Sequence, residues 1–226
     1  MAGSVSNVDI CNHAYEGHMD KLRQCIITDK TLACKTDQGQ RTALHWACSA
    51  GNNDIVQYLL DLGVEVNLPD DASWTPLHIA ASAGREDIVK ALISKGAQLN
   101  PVNQNGCTPL HYASSKDRYE IALALLENGA DPNATDKLHS TPLHRASSKG
   151  NCRLITLLLE HSASTNIQDI EGNTPLHLAC DEERVEAAKL LVGHGASIYI
   201  ENKEEKTPVQ IARGGVGAML QRLVEG

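Results

Sequence analysis

Ten histidines and seven cysteines give this 226-residue chain enough nitrogen and sulfur to bind a metal or to run acid–base chemistry. Imidazole is the commonest metal ligand and titrates near neutral pH, so spacing decides what these residues are for. Five of the histidines, His45, His78, His111, His144 and His177, recur every 33 residues. Copies of one slot in a repeat are spread along a molecule and do not converge on one ion. Their spacing reads as a structural residue whose ring nitrogens tie neighbouring turns together. The cysteines (Cys11, Cys25, Cys34, Cys48, Cys107, Cys152 and Cys180) contain no C-x-x-C pair and are odd in number. That fits neither a closed disulfide framework nor a zinc ribbon, and they read as reduced, mostly packed thiols. No carboxylate pair, phosphate-cradling loop or nucleophile with an assigned base stands out. Gly214-Gly215-Val216-Gly217 lacks the Lys-Ser/Thr of a P-loop. The expectation is a protein that is not an enzyme and needs no metal or cofactor.

A further motif could bind a protein. Leu176 to Glu182 reads LHLACDE and contains Leu178-x-Cys180-x-Glu182, the short pattern that engages retinoblastoma-type pocket proteins. An extended peptide places these three side chains on one side, because strand periodicity is two. Thr174-Pro175, however, starts a helix, and in a helix Cys180 points about 200° away from Leu178. It then falls in the slot of Cys48, Ala81, Ser114 and Ser147. Cys180 is expected to be packed inside the helix pair, with Leu178 and Glu182 sharing an exposed face.

The elements that position these residues follow from the same period. Thr42-Ala-Leu-His45, Thr75-Pro-Leu-His78, Thr108-Pro-Leu-His111, Thr141-Pro-Leu-His144 and Thr174-Pro-Leu-His177 are in register, with Thr207-Pro-Val-Gln210 as a degenerate sixth copy. Thr before Pro is an N-cap followed by a residue suited to the first helical position. Ile55-Val56 with Leu59-Leu60, Ile88-Val89 with Leu92-Ile93, and Ile121 with Leu125-Leu126 mark one apolar face of a second helix. Gly63, Gly96, Gly129 and Gly195 stop it. Asn67 to Trp74 and Asn133 to Ser140 are turn-rich and read as hairpin-like projections.

A 33-residue period bearing T-P-L-H-x-A is the signature of the ankyrin repeat. The expected fold is all-α, an ankyrin-repeat solenoid of seven helix-pair units with projecting β-turn or hairpin loops. A lone pair cannot bury its apolar face, so the pairs must stack. The chain reads as a single domain, 1–226: an N-terminal cap at 1–36, repeats at 37–69, 70–102, 103–135, 136–168 and 169–201, and a C-terminal cap at 202–226. Lys21, Arg23 and Lys30 stand where the first cap meets water, and Leu220, Leu223 and Val224 end the last.

A formal net charge of −8 disfavours attraction to nucleic acid or to anionic membranes, which need a clustered positive surface. No leader and no run of about 18 apolar residues is seen. An intracellular, soluble monomer is expected.

Function then falls to the slots that the repeat leaves variable. After each histidine stand Trp46, Ile79, Tyr112, Arg145 and Leu178; further on come Ser49, Ser82, Ser115, Ser148 and Asp181, then Ala50, Ala83, Lys116, Lys149 and Glu182. Arg41 and Trp74 precede the Thr, and Arg118 follows the first helix of its unit. Aromatic residues anchor interfaces, and Arg and Lys steer acidic partners. The candidate partner-binding set is therefore Arg41, Trp46, Ser49, Trp74, Ile79, Ser82, Tyr112, Ser115, Lys116, Arg118, Arg145 and Lys149, with Arg41 expected as an exposed turn charge.

The segments RTALHWACSAG (Arg41 to Gly51), VNQNGCTPLHYA (Val102 to Ala113), Ala163 to Glu186 and ASIYIENKEEKTP (Ala196 to Pro208) are not repeat consensus. On them the chain resembles the gankyrin family, seven-ankyrin-repeat non-ATPase subunits associated with the proteasome regulatory particle. The turns around Leu68-Pro69 and Lys137 to Ser140 depart from the mammalian form, as in a diverged orthologue. The resemblance implies an assembly chaperone whose concave face holds the C-terminal domain of a base ATPase subunit. It implies Arg41, Trp46, Trp74, Ile79, Tyr112, Lys116 and Arg118 as ATPase-domain contacts, and Leu178, Cys180 and Glu182 as the pocket-protein motif. It further implies adaptor contacts with cyclin-dependent kinase 4, the retinoblastoma protein and the p53 ubiquitin ligase, in cytoplasm and nucleus. The alternative is a kinase-binding or kinase-inhibitory ankyrin protein of the cell cycle.

Overall fold

The computed structural model describes residues 4–225; the first three residues of the expected N-terminal cap and Gly226 lie outside the described residues. Among the described residues there are fourteen α-helices, one 3-10 helix and no strand. One helix pair falls in each of the seven stretches delimited above. The chain forms two compact units, one up to Gln104 and the other from Asn105.

The first unit holds α1 (Asp9–Glu16), α2 (Met19–Thr28), the 3-10 helix Lys30–Cys34, α3 (Ala43–Ala50), α4 (Asn53–Asp61), α5 (Pro76–Ala83) and α6 (Glu86–Ser94). Its inner helices pack in sequence, α1 on α3 and α3 on α5, and each outer helix lies against its own inner partner. The second unit holds α7 (Pro109–Ser115), α8 (Tyr119–Glu127), α9 (Pro142–Lys149), α10 (Cys152–Glu160), α11 (Pro175–Asp181), α12 (Val185–Gly193), α13 (Pro208–Ile211) and α14 (Val216–Glu225). There α7, α9, α11 and α13 stack in order, with α8, α10, α12 and α14 as the outer layer.

The expected helix starts are present. Thr75, Thr108, Thr141, Thr174 and Thr207 each occupy the N-cap with extended backbone, and Pro follows at the first helical position. Gly63, Gly96, Gly129 and Gly195 all take positive φ just beyond their outer helices, which closes each helix in a left-handed turn. In the fifth repeat Ser162 takes that conformation at φ 66.

The core of each unit lies between its two helical layers. Leu44, Ile55, Leu59, Leu77, Ile88 and Leu92 are buried in the first unit, and Leu110, Leu125, Leu143, Leu154, Leu158 and Leu176 in the second. Burying one such side chain is worth about 1.5–3 kcal/mol, so each repeat carries several such terms. Lys21, Arg23 and Lys30 face water as expected of a cap, and Leu223 and Val224 are exposed on the last helix.

Candidate functional site

The inner helices present their variable residues beside the hairpin tips, and two hydrogen-bonded slots fix that geometry. In the first slot, the histidine at the third helical position accepts the backbone N–H of its own N-cap threonine through Nδ1. The distances run from 3.0 to 3.2 Å in five repeats. Histidine thereby plays the part that Glu or Gln plays in an ordinary capping box, as Gln210 does for Thr207 at 2.8 Å.

Because a backbone N–H can only donate, Nδ1 is the acceptor and the proton sits on Nε2. From there it reaches the next repeat: His111 donates to Ser140 O at 2.9 Å, His144 to Asn173 O at 3.0 Å and His177 to Lys206 O at 3.0 Å. His45 Nε2 is buried beside the Leu68 and Trp74 carbonyls without forming a well-aligned hydrogen bond. Burial holds His45 down at a pKa of about 4, and burial likewise lowers His111, His144 and His177. At His111, His144 and His177 a neutral ring with both nitrogens engaged braces one turn against the next, as the spacing implied.

The second slot escaped the sequence reading, although its signal was present: Asp37, Asp70, Asn103, Asp136, Asp169 and Asn202 stand 33 residues apart. One side-chain oxygen of Asp70 accepts the N–H groups of Ala72 and Trp74, and one of Asp136 accepts those of Leu138 and Ser140. Asp37, Asp169 and Asn202 do the same in their own hairpins. Consecutive tips are joined main chain to main chain: Asp71 N–H donates to Gly39 O at 3.0 Å, Lys137 to Asn105 O at 3.0 Å, Ile170 to Leu138 O at 2.8 Å and Lys203 to Glu171 O at 2.9 Å.

The second carboxylate oxygen of three of these aspartates captures a residue nominated for binding. Trp46 Nε1 donates to Asp37 at 2.8 Å, Arg41 Nε donates to Asp70 at 2.9 Å, and Arg145 pairs with Asp136. Burial opposes ionisation of Asp37 and Asp136, but Trp46 and main-chain N–H groups in the first case, and the Ser140 N–H and Arg145 in the second, hold both below the usual carboxylate range.

These contacts revise several expectations. Arg41 is not an exposed turn charge; its side chain is 31% exposed, ion-paired, and stacked 5.0 Å over the Trp46 ring. Ile79 is 7% exposed and is therefore packed rather than open to a partner. Trp46 and Trp74 are half-buried, against Tyr15 and His78 respectively. Ser49 and Ser82 are half-buried, and the Ser49 carbonyl accepts the Arg85 guanidinium. Arg118 is exposed at the N-cap of α8.

In the second unit the nominated residues converge. Tyr112, Ser115, Lys116 and Arg145 line a recess of about 450 Å³ together with Lys137 and Leu138 of a hairpin tip. Ser115, Lys116, Arg145, Ser148, Lys149 and Leu178 line a second recess of about 500 Å³. Lys116, Lys137 and Lys149 are exposed, and Leu138 is 58% exposed. The first recess offers a mainly apolar floor under a cationic rim, and the second is lined mostly by hydroxyl and cationic side chains around Leu178. Lys137 and Leu138 were missed as lining residues because tip side chains carry no periodic signal.

The Leu-x-Cys-x-Glu residues lie where helical geometry puts them. Cys180 is 1% exposed and its thiol is pushed up to about 12 by burial, Leu178 is half-buried and Glu182 exposed. Glu182 stands at the C-cap rather than inside α11, yet its N–H still bonds Leu178 O at 3.1 Å.

Comparison with known proteins gives consistent results. The family described as "Ankyrin repeats (3 copies)" matches residues 63–136 and 135–202, and "Ankyrin repeats (many copies)" matches residues 29–80. The 26S proteasome non-ATPase regulatory subunit 10 of Homo sapiens is 67% identical over 74 residues, 33% of this chain and 33% of that protein. The Mus musculus protein of the same name is 66% identical over 74 residues, 33% of this chain and 32% of its own length. The aligned stretch thus spans about a third of these relatives. Among solved structures, the ankyrin repeat domain of Bcl-3 superimposes with a TM-score of 0.85 at 25% identity, covering 94% of this chain and 97% of its own. The ankyrin repeat domain of human ASB11 gives 0.84 at 27% identity, covering 96% and 97%. No helix among the described residues is long and apolar enough to cross a membrane.

Proposed function

Because the chain belongs to the ankyrin-repeat family, we propose that it is a protein-binding scaffold, not an enzyme, that holds the C-terminal domain of a proteasomal base ATPase subunit during assembly. The observation that carries this reading is the convergence of Tyr112, Lys116, Arg145 and Lys149 on two recesses of the second unit. An aromatic side chain beside a cationic rim suits an acidic, folded protein surface, since aromatics anchor and charges steer. The likeness to the 26S proteasome non-ATPase regulatory subunit 10 supports the choice of partner.

The same resemblance extends the proposal to an adaptor role. In it the chain works as a monomer in cytoplasm and nucleus and contacts cyclin-dependent kinase 4, the retinoblastoma protein and the p53 ubiquitin ligase. Burial of Cys180 bears on the second of these contacts: pocket-protein binding through an extended Leu-x-Cys-x-Glu peptide requires the sixth repeat to open first.

Isothermal titration of the purified chain against the isolated C-terminal domain of each base ATPase subunit tests the reading. One domain is expected to bind, with Lys116→Glu and Lys149→Glu weakening it most at low salt, where screening is least. Failure to bind any of the domains would overturn the chaperone role. Direct inhibition of purified cyclin-dependent kinase 4 would favour the kinase-inhibitory alternative.

A further inference from the structure

A second constellation lies in the first unit, at the turn between α1 and α2. His13 is in the last turn of α1, Glu16 is its final residue, and His18 is the N-cap of α2. Between them Gly17 takes φ 78, which folds His18 back over the end of α1. The metal-binding atoms of the three side chains all lie within 4.8 Å of one another. His18 Nδ1 is 3.0 Å from Glu16 Oε2, and the two imidazole centroids are 6.0 Å apart.

The backbone that carries these groups is fixed. The Gly17 and His18 N–H groups both donate to His13 O, the latter at 2.9 Å. Asn52 Nδ2 donates to Ala14 O at 2.7 Å and Tyr15 O at 3.0 Å. The side chains, by contrast, have few duties. His13 Nδ1 is buried with no hydrogen-bond partner, and an orphaned buried polar atom calls for an unseen partner. His18 opens its outer helix as Asn52, Arg85 and Arg184 open theirs, but those three bond carbonyls at the end of the preceding inner helix. His18 instead turns to Glu16.

We propose that His13, Glu16 and His18 form a binding site for a divalent ion of the zinc class, with a fourth position open to water. Two imidazoles and one carboxylate suit Zn²⁺ and its neighbours, whereas Ca²⁺ and Mg²⁺ take oxygen ligands and Cu⁺ takes sulfur. With metal–ligand bonds of ~2.0–2.1 Å, two ligand atoms on a tetrahedral ion stand roughly 3.3 Å apart. The His18–Glu16 pair is already near that separation. Their side chains are 45% and 46% exposed, so both rotate freely to close on His13. A cation here also sits at the C-terminal end of α1, where the helix dipole is negative. The site revises the expectation that the chain needs no metal: it draws on histidines outside the 33-residue slot.

The test is titration of the reduced full-length chain with Co²⁺ alone, a spectroscopic stand-in for Zn²⁺. One equivalent is expected to bind with visible d–d bands, no thiolate charge-transfer band, and full displacement by Zn²⁺. Outer partners of metal ligands are worth ten- to hundredfold in affinity, so His18→Ala and Glu16→Gln, which remove direct ligands, are each expected to lower it more than about tenfold. Both residues are exposed, and circular dichroism should be unchanged; Cys34→Ser should leave binding intact. The proposal is overturned by absence of saturable binding, by a thiolate band, or by unchanged affinity in either variant.

Discussion

Arg41 and Asp70 join two consecutive hairpins: Arg41 Nε donates to Asp70 Oδ2 at 2.9 Å while Asp70 Oδ1 accepts the N–H groups of Ala72 and Trp74. The Asp70 side chain is 1% exposed, so this carboxylate has no water to fall back on.

Arg41→Ala is therefore expected to act on stability before it acts on any partner. Removing the guanidinium leaves a buried carboxylate with main-chain partners alone, at a cost of about 1–2 kcal/mol after allowing for the partial exposure of Arg41. Urea unfolding followed by Trp46 fluorescence measures it, since the guanidinium stacks on that ring. An unchanged midpoint would return Arg41 to the role of a free surface charge.

Stability should fall as the solution is acidified through the histidine range. A neutral histidine with a depressed native pKa binds its proton in the unfolded chain first, so the unfolded state gains from acid. The loss should begin near the ordinary histidine value of 6.5 and, for His45, continue to about 4; that residue alone accounts for on the order of 3 kcal/mol. His111, His144 and His177 act in the same direction. Denaturant midpoints compared at about pH 7.5 and about pH 5 give the slope, and a flat profile would mean that these rings take up protons as readily in the native state as in the unfolded chain.

Two glycines separate backbone strain from close approach. Gly63 and Gly106 both take φ 76, but a Cβ on Gly63 meets nothing within 4 Å, whereas one on Gly106 would lie 2.8 Å from Lys137 N. Gly63→Ala is expected to cost about 1 kcal/mol, the left-handed penalty alone. Gly106→Ala should cost clearly more, because main chain cannot step aside. Equal losses in thermal unfolding would show that the tips do not meet as closely as described.

Thiol labelling distinguishes packed from open cysteines. Cys34 is exposed, while Cys48 and Cys180 are buried and burial pushes their thiols up, Cys180 to about 12. Since the thiolate is the nucleophile, brief iodoacetamide treatment read by mass spectrometry should modify Cys34 and spare the other two. If a pocket protein engages the extended motif, adding it should change Cys180 labelling; labelling of Cys180 in the free chain as fast as Cys34 would contradict its packing.

The repeat, its helix starts and its glycine stops were legible because each depends on residues within a few positions of one another. Thr174, Pro175 and His177 specify a capped helix locally, and five copies leave no doubt of the period. Packing of Cys180 was legible too, since angular position on a helix follows from numbering. Partner choice across repeats was not. That Arg41 pairs with Asp70, or that Ile79 is covered, depends on which hairpin and helix arrive from elsewhere. Asp37, Asp70 and Asp136 were readable as a series, but the eye is drawn to the Thr-Pro-Leu-His run that follows them. The α1–α2 turn was hidden for the opposite reason: His13, Glu16 and His18 belong to no series.

The junctions between hairpin tips are written in main chain, through Asp71–Gly39, Ile170–Leu138 and Lys203–Glu171. Side chains at those positions are thereby released from holding the fold. Exposed Lys137 and Leu138 can be exchanged while the junction persists, provided that Asp136 keeps the turn and Gly106 stays small. An array joined in this way separates heredity of shape from heredity of specificity: mutation can explore new partners at the tips without revisiting the problem of folding.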